Sequence, residues 1–193
     1  MIQQIIQLIV LFFVIFDPPA SLFVFTIATK KVKEEEKKKT GILAVSLAAG
    51  ICVLVLIFGE GLLKLFNTTL DDFRVAGGII LILLGIKMAL GRPLVDVDKM
   101  KDKSARAIAS VIATPLLTGP AAITTIIVST KDYGYFITSA ALAIVLGVTA
   151  LLFIHSTNAM KKVSRTTVQL LSTSLGLITI SWGVRFIRIG FGI

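Results

Sequence analysis

The chain holds one cysteine and one histidine. Cys52 has no partner cysteine, so an intrachain disulfide is excluded. His155 has no second histidine with which to build a metal site. Its place at the end of an apolar segment fits an interface residue better than a proton relay. Gly-x-Ser-x-Gly and His-Glu-x-x-His are both missing. Acids are scarce, with 11 Asp and Glu against 20 Lys and Arg. Only Asp17 falls deep inside an apolar run, so an aspartyl protease lacks its second carboxylate. These absences argue against an enzyme, a metal and any other cofactor. A lone serine with the lone histidine is the one hydrolytic pairing left.

Apolar residues are what the chain has in plenty. They make up 55% of it, charged residues only 16%, and the mean hydropathy is +0.94. Ordinary soluble domains are nearer 45–50% apolar and roughly 25% charged. The charges gather in loops between long apolar tracts, the pattern of an integral membrane protein. Six helices of about 20 residues with their loops would use up 193 residues and leave no room for a soluble domain. A net charge of +9 raises nucleic acid as a partner, but the basic residues alternate with apolar spans, so none is expected. The N-terminal run has no basic leader and carries Asp17-Pro18-Pro19 in mid-run, so it is expected to be a first span and not a signal peptide.

The expected spans are 2–29, 40–58, 73–90, 105–130, 135–154 and 168–189. Gly59-Glu60-Gly61 is expected to end the second, with Leu62 to Phe66 along the interface. Asp71 and Asp72 suit the start of the third. Lys131 to Gly134 reads as a tight turn. Basic residues crowd three loops, 30–39, 92–106 and 161–167, which lie on one side by parity. The opposite side offers little beyond Lys64, Arg74 and Lys131. Basic loops stay inside, so both termini are expected outside the cytoplasmic membrane.

Two spans carry breaks. Pro18 and Pro19 lack backbone N–H groups, their rings clash with the preceding turn, and Pro18 pushes Asp17 away from the helical region. Pro115 and Thr118-Gly119-Pro120 interrupt the fourth span likewise. The chain also repeats itself about every hundred residues. Pro19 aligns with Pro120, Ala20 with Ala121, and Thr29-Lys30 with Thr130-Lys131. At a slightly shorter offset, Gly78 falls on Gly176, Gly85 on Gly183 and Lys87 on Arg185. The expected architecture is therefore all-α and polytopic, in one membrane domain. Residues 1–92 form a first three-helix repeat, 93–104 a cytoplasmic linker and 105–193 a second repeat. Three spans is an odd number, so the repeats are inverted. Inverted repeats with matched broken helices are the mark of a secondary transporter's binding site. Chance matches between apolar sequences are the structural alternative, as a simple kink is for each proline.

The breaks carry usable chemistry. The helix halves that begin near Ala20 and Ala121 start with unpaired N–H groups and a positive dipole end, which suit a carboxylate. The halves that end near Ile15 and Leu117 offer carbonyls to an ammonium group or a cation. Asp17 suits a substrate ammonium, a coupling cation or a proton, and a helix cap as the structural alternative. Small neighbours (Ala20, Ser21, Gly119, Ala121, Ala122) and the hydroxyls of Thr114 and Thr118 leave room for a small zwitterion. The candidate binding set is Asp17, Pro18, Pro19, Ala20, Ser21, Thr114, Thr118, Gly119, Pro120, Ala121 and Ala122. Lys87 and Arg185 read as residues that snorkel to the interface.

Across nearly its whole length the chain resembles the MarC-related family of six-span membrane proteins, also called the neutral amino acid transporter family. The resemblance rests on Phe16-Asp17-Pro18-Pro19, on Thr114-Pro115-Leu116-Leu117-Thr118-Gly119-Pro120-Ala121-Ala122-Ile123, and on Phe73-Arg74-Val75-Ala76-Gly77-Gly78. That family often has Gly-Asn where this chain has Ala20-Ser21. The resemblance implies transport of small neutral amino acids such as glycine or alanine, driven by a proton or sodium gradient. The expected partners are that substrate and the bilayer, and a homo-oligomer is allowed. An exporter of another small solute or cation, or a membrane subunit without transport, is the alternative.

Overall fold

The computed structural model describes residues 2–92, 104–156 and 165–193. Among the described residues every regular element is helical. The cytoplasmic linker expected at 93–104, apart from Ser104, and much of the loops expected at 92–106 and 161–167 lie outside them.

Helix α1 (Ile2–Phe16) and helix α2 (Pro18–Ala28) share one apolar run. Asp17 separates them in a left-handed conformation, φ 40° and ψ 65°. Helix α3 (Glu34–Leu65) is 32 residues long, about 48 Å at 1.5 Å per residue. It is longer at both ends than the sequence suggests. Glu34, Glu35 and Glu36 occupy its first turn, where acids complement the helix dipole. The helix does not stop at Gly59-Glu60-Gly61. Gly59 lies against Ile127, and a Cβ there would fall 2.5 Å from the isoleucine Cγ1. Gly59 is thus a packing glycine inside a continuous helix.

Helix α4 (Leu70–Ala89) starts at a capping box. Thr69 accepts from the Asp72 N–H, and the Asp72 carboxylate accepts from the Thr69 N–H. Helix α5 (Ala105–Val111) runs into a π-helical turn, Ile112–Leu117. Helix α6 (Pro120–Ile154) is divided at Gly134, whose φ of 82° and ψ of 165° suit glycine alone. The expected turn therefore exists as a sharp break between Pro120–Tyr133 and Tyr135–Ile154. Helix α7 (Arg165–Gly190) completes the described chain.

Four stretches are long and apolar enough to cross a membrane: Ile2–Ala28, Glu34–Leu65, Pro120–Ile154 and Thr166–Gly190. Ala105–Leu117 is a shorter apolar stretch. Helix α4 has 20 residues, but it carries Asp71, Asp72, Arg74 and Lys87.

The most extensive helix contact joins α4 to α7. It is a seam of glycines. A Cβ on Gly78 would meet the Gly183 carbonyl at 2.6 Å, and one on Gly183 the Gly78 carbonyl at 2.7 Å. Gly85 and Gly176 make the same reciprocal approach at 2.6 and 2.7 Å. The chains run antiparallel there. Small residues let apolar helices close to backbone contact, where dispersion replaces the missing hydrophobic drive. Helices α1 and α3 both pack along α6. Phe12, Phe16, Ile112, Leu117 and Ile126 are buried at the centre of the bundle, around the two interruptions.

Candidate interrupted-helix binding site

At the first interruption the two prolines decide which backbone groups stay unpaired. The Asp17 N–H donates to Phe13 O at 3.0 Å, so α1 is complete to that point. The next two donors would be Pro18 and Pro19, which have none. Among the described residues no donor reaches the carbonyls of Val14 and Ile15. The Phe16 carbonyl is rescued by the Ser21 hydroxyl, which donates to it at 2.8 Å.

The N-terminus of α2 is, by contrast, already closed. Its first two residues are prolines. The Ala20 N–H donates to Asp17 Oδ1 at 3.2 Å, and the Ser21 N–H to Asp17 O at 2.9 Å. No donor is left at Ala20 or Ser21 for an incoming carboxylate. Asp17 does serve as the helix cap. That role occupies one carboxylate oxygen only. Oδ2 is buried. The residue as a whole is 1% exposed. Ser172 of α7 lies beside this carboxyl, its buried hydroxyl placed to donate to it.

The second interruption is built the other way round. The Thr118 N–H and hydroxyl both donate to Ala113 O, at 2.9 and 2.7 Å, which closes the π-helical turn. The Thr114 hydroxyl lies 3.4 Å from that of Thr118. Gly119 is the N-cap of α6 and has no side chain to cap with. The Ile123 N–H reaches Gly119 O, but no acceptor reaches the N–H groups of Ala121 and Ala122 among the described residues. These are the orphan donors of a helix start.

A cavity of about 210 Å³ borders these residues. Gly119, Pro120, Ala121 and Ala122 form one wall, Pro115 to Leu117 a second, and Ile80, Leu83, Leu84 and Lys87 of α4 a third. Ile15, whose carbonyl is unpaired, reaches it from the first interruption. The lining is mostly apolar, with one cationic side chain. The start of α6 and Lys87 are the features of positive character among the lining residues.

The structure thus gathers Gly119, Pro120, Ala121 and Ala122 around the cavity. Asp17, Pro18, Pro19, Ala20 and Ser21 form a neighbouring layer that does not line it. Thr118 is buried behind the turn, and Thr114 is exposed. Sequence reasoning did not place Lys87 beside the second break or Ser172 beside Asp17. For Lys87 the signal was its match with Arg185 in the repeat. For Ser172 there was only a hydroxyl among other hydroxyls in a late span.

At the opposite end of α4, ion pairs tie three elements together. Lys131 reaches Glu60 at 2.7 Å, and Arg74 joins Asp71 at 2.6 Å and also Asp132. These link α3, the start of α4 and the turn that leads to Gly134.

Long apolar helices, glycine seams and interrupted spans with orphan peptide groups define a polytopic integral membrane protein. The MarC family model, described as "MarC family integral membrane protein", matches residues 2–192. The chain belongs to the MarC family. It is 30% identical over 183 residues to a UPF0056 membrane protein of Methanocaldococcus jannaschii, covering 91% of this chain and 89% of that one. It is 27% identical over 194 residues to a UPF0056 membrane protein of Pyrococcus horikoshii, covering 100% and 95%. The UPF0056 membrane protein YhcE of Escherichia coli is 27% identical over 190 residues, covering 92% and 87%. No solved structure matches the chain.

Proposed function

We propose that this protein is a secondary transporter of small neutral amino acids, of the glycine and alanine class. It works by alternating access and is coupled to a proton or sodium gradient. One observation carries the reading. Two interrupted helices pack together and leave complementary peptide groups unpaired, donors at Ala121 and Ala122 and acceptors at Val14 and Ile15. Donors at one break and acceptors at the other match the two ends of a zwitterion. The substrate carboxylate meets the start of α6 and Lys87. Its ammonium meets the Ile15 carbonyl, and Asp17 supplies the buried negative charge. The cavity of about 210 Å³ is smaller than the roughly 300–1,000 Å³ of drug-sized sites.

The chain crosses the cytoplasmic membrane six times in this reading. The crossings are α1 with α2, α3, α4, α5 with the first part of α6, the rest of α6, and α7. The glycine seam supports an inverted repeat. Exchanging Gly78 with Gly176 and Gly85 with Gly183 turns the Gly78–Gly183 contact into the Gly85–Gly176 contact. A two-fold relation between the halves requires that exchange. The basic residues at 30–39 then face the cytoplasm with both termini outside.

The test is uptake of labelled glycine and alanine by purified protein in proteoliposomes. Wild type accumulates label under an imposed proton or sodium gradient. Asp17→Asn loses coupled uptake while its elution profile and helix content stay unchanged. Full uptake by Asp17→Asn removes the carboxylate from the mechanism.

A further inference from the structure

We infer that Pro120–Tyr133, the first part of α6, is a gate on the Gly134 side of the bundle, latched shut by the ion pairs Glu60–Lys131 and Arg74–Asp132. The inference rests on the transport reading for the gate's purpose; the latch itself stands on contacts.

The segment is bounded so that it can move as one piece. Gly119, with φ −74° and ψ 176°, precedes it, and Gly134 with its positive φ follows it. Rotation at these two points leaves the hydrogen bonds inside the segment intact. Its hydroxyls are also satisfied from within. Thr124, Thr125 and Thr130 donate to the carbonyls of Pro120, Ala121 and Ile126, at 3.0, 2.8 and 2.7 Å. Its close contacts with α3 and α4 are apolar groups seated against glycines. Ile127 occupies the space that a Cβ on Gly59 of α3 would take, and the Thr124 methyl does the same at Gly77 of α4. Such faces can part without stranding a polar group.

Charge is what ties the segment down. Lys131 and Asp132 are consecutive, and they pair with two different helices. Lys131 reaches Glu60 of α3 at 2.7 Å, and Asp132 meets Arg74 of α4. Partly exposed pairs hold weakly and are screened by salt, which suits a latch that releases in every cycle. A cavity of about 190 Å³, lined by both Glu60 and Lys131, gives that pair room to separate.

The matched position in the other half is different. Lys30, which aligns with Lys131 in the repeat, is exposed and has no ion-pair partner among the described residues. One end of the bundle is latched and its counterpart is not, so the latched end is the one this conformation closes. The segment begins at Ala121 and Ala122, so its release also moves the end of the proposed site that holds the substrate carboxylate.

Thiol accessibility tests the latch without any substrate. The protein, with Cys52→Ala and Ile127→Cys, is placed in lipid nanodiscs and treated with a polar maleimide. Ile127 is 3% exposed, so the parent is expected to label slowly. Glu60→Lys and Lys131→Glu are each expected to speed labelling about tenfold, as loss of one pair and a new repulsion would. The two together restore the pair with its charges exchanged, and the slow rate of the parent returns. Elution profile and helix content stay unchanged. Folded single variants that label as slowly as the parent overturn the latch, and so does a double variant that labels as fast as the singles. Should the variants not fold, the parent decides. Labelling that quickens from low to high salt supports the latch, and labelling indifferent to salt overturns it. Alanine uptake by wild type keeps the two readings apart. No uptake with labelling as expected refutes transport and keeps the latch, while normal uptake with labelling indifferent to these charges does the reverse.

Discussion

Asp17 combines two tasks that usually fall to different residues. Its Oδ1 closes the start of α2, and the rest of the carboxylate is buried beside the Ser172 hydroxyl of α7. The prolines make both necessary. They bar Pro18 and Pro19 from donating, so Ala20 supplies the first N–H that a cap can hold. Ser21 sits next to this arrangement, but its hydroxyl is spent on the Phe16 carbonyl. Ser21→Ala should therefore act on folding and not on substrate. It leaves a buried carbonyl unpaired, at about 1–2 kcal/mol. The expected result is a lower unfolding midpoint with the half-saturating substrate concentration of uptake unchanged. Single residues were legible in sequence where their chemistry is local. Asp17 before two prolines signals a cap and a break without any knowledge of neighbours. Ser172 carried no such signal, because its meaning comes from α7 passing the break 155 positions away in the chain.

At the scale of elements, glycine sets the closest helix approach. Gly78, Gly85, Gly176 and Gly183 let α4 and α7 approach to backbone contact. Gly183→Ala places a methyl 2.7 Å from the Gly78 carbonyl. The helices must separate, at about 1–3 kcal/mol in an overpacked site. Thermal unfolding in detergent should show the loss, and an equal loss is expected for Gly85→Ala if the two contacts are equivalent. The start of α4 was readable from Asp71 and Asp72, and the break at Gly134 from its turn residues. The far end of α3 was not. Gly59-Glu60-Gly61 has the composition of a stop, and only Ile127, on another helix, explains why the helix runs on. The start of α2 likewise looked like an open anion site. Its N–H groups proved to be used within the break, while those of α6 stayed open because Gly119 has no side chain to cap them.

For the whole molecule, the account requires two halves of opposite orientation with their interruptions side by side. In the proposed arrangement the basic start of α3 faces the cytoplasm and the ion-paired end faces outside. Glu34–Lys39 forms the exposed first turns of α3, and the Glu60–Lys131 and Arg74–Asp132 pairs close the other end. Cysteines placed at Glu35 and at Thr68, in a background with Cys52 replaced, should react with an impermeant thiol reagent from opposite sides of the membrane. Glu35 is expected to react only from the cytoplasmic side and Thr68 only from outside. Labelling of both from one side removes the six-crossing arrangement. This scale was visible in sequence only as a pattern of breaks and glycines. The pairing of the halves depends on contacts across some hundred residues, which composition does not encode.

The most direct measurement is an experimental structure of the protein in a bilayer mimic with L-alanine bound. The account predicts one alanine between the two interruptions, its carboxylate on the Ala121 and Ala122 N–H groups and its ammonium toward the end of α1. Alanine bound elsewhere, or both spans running through as unbroken hydrogen-bonded helices, would contradict it.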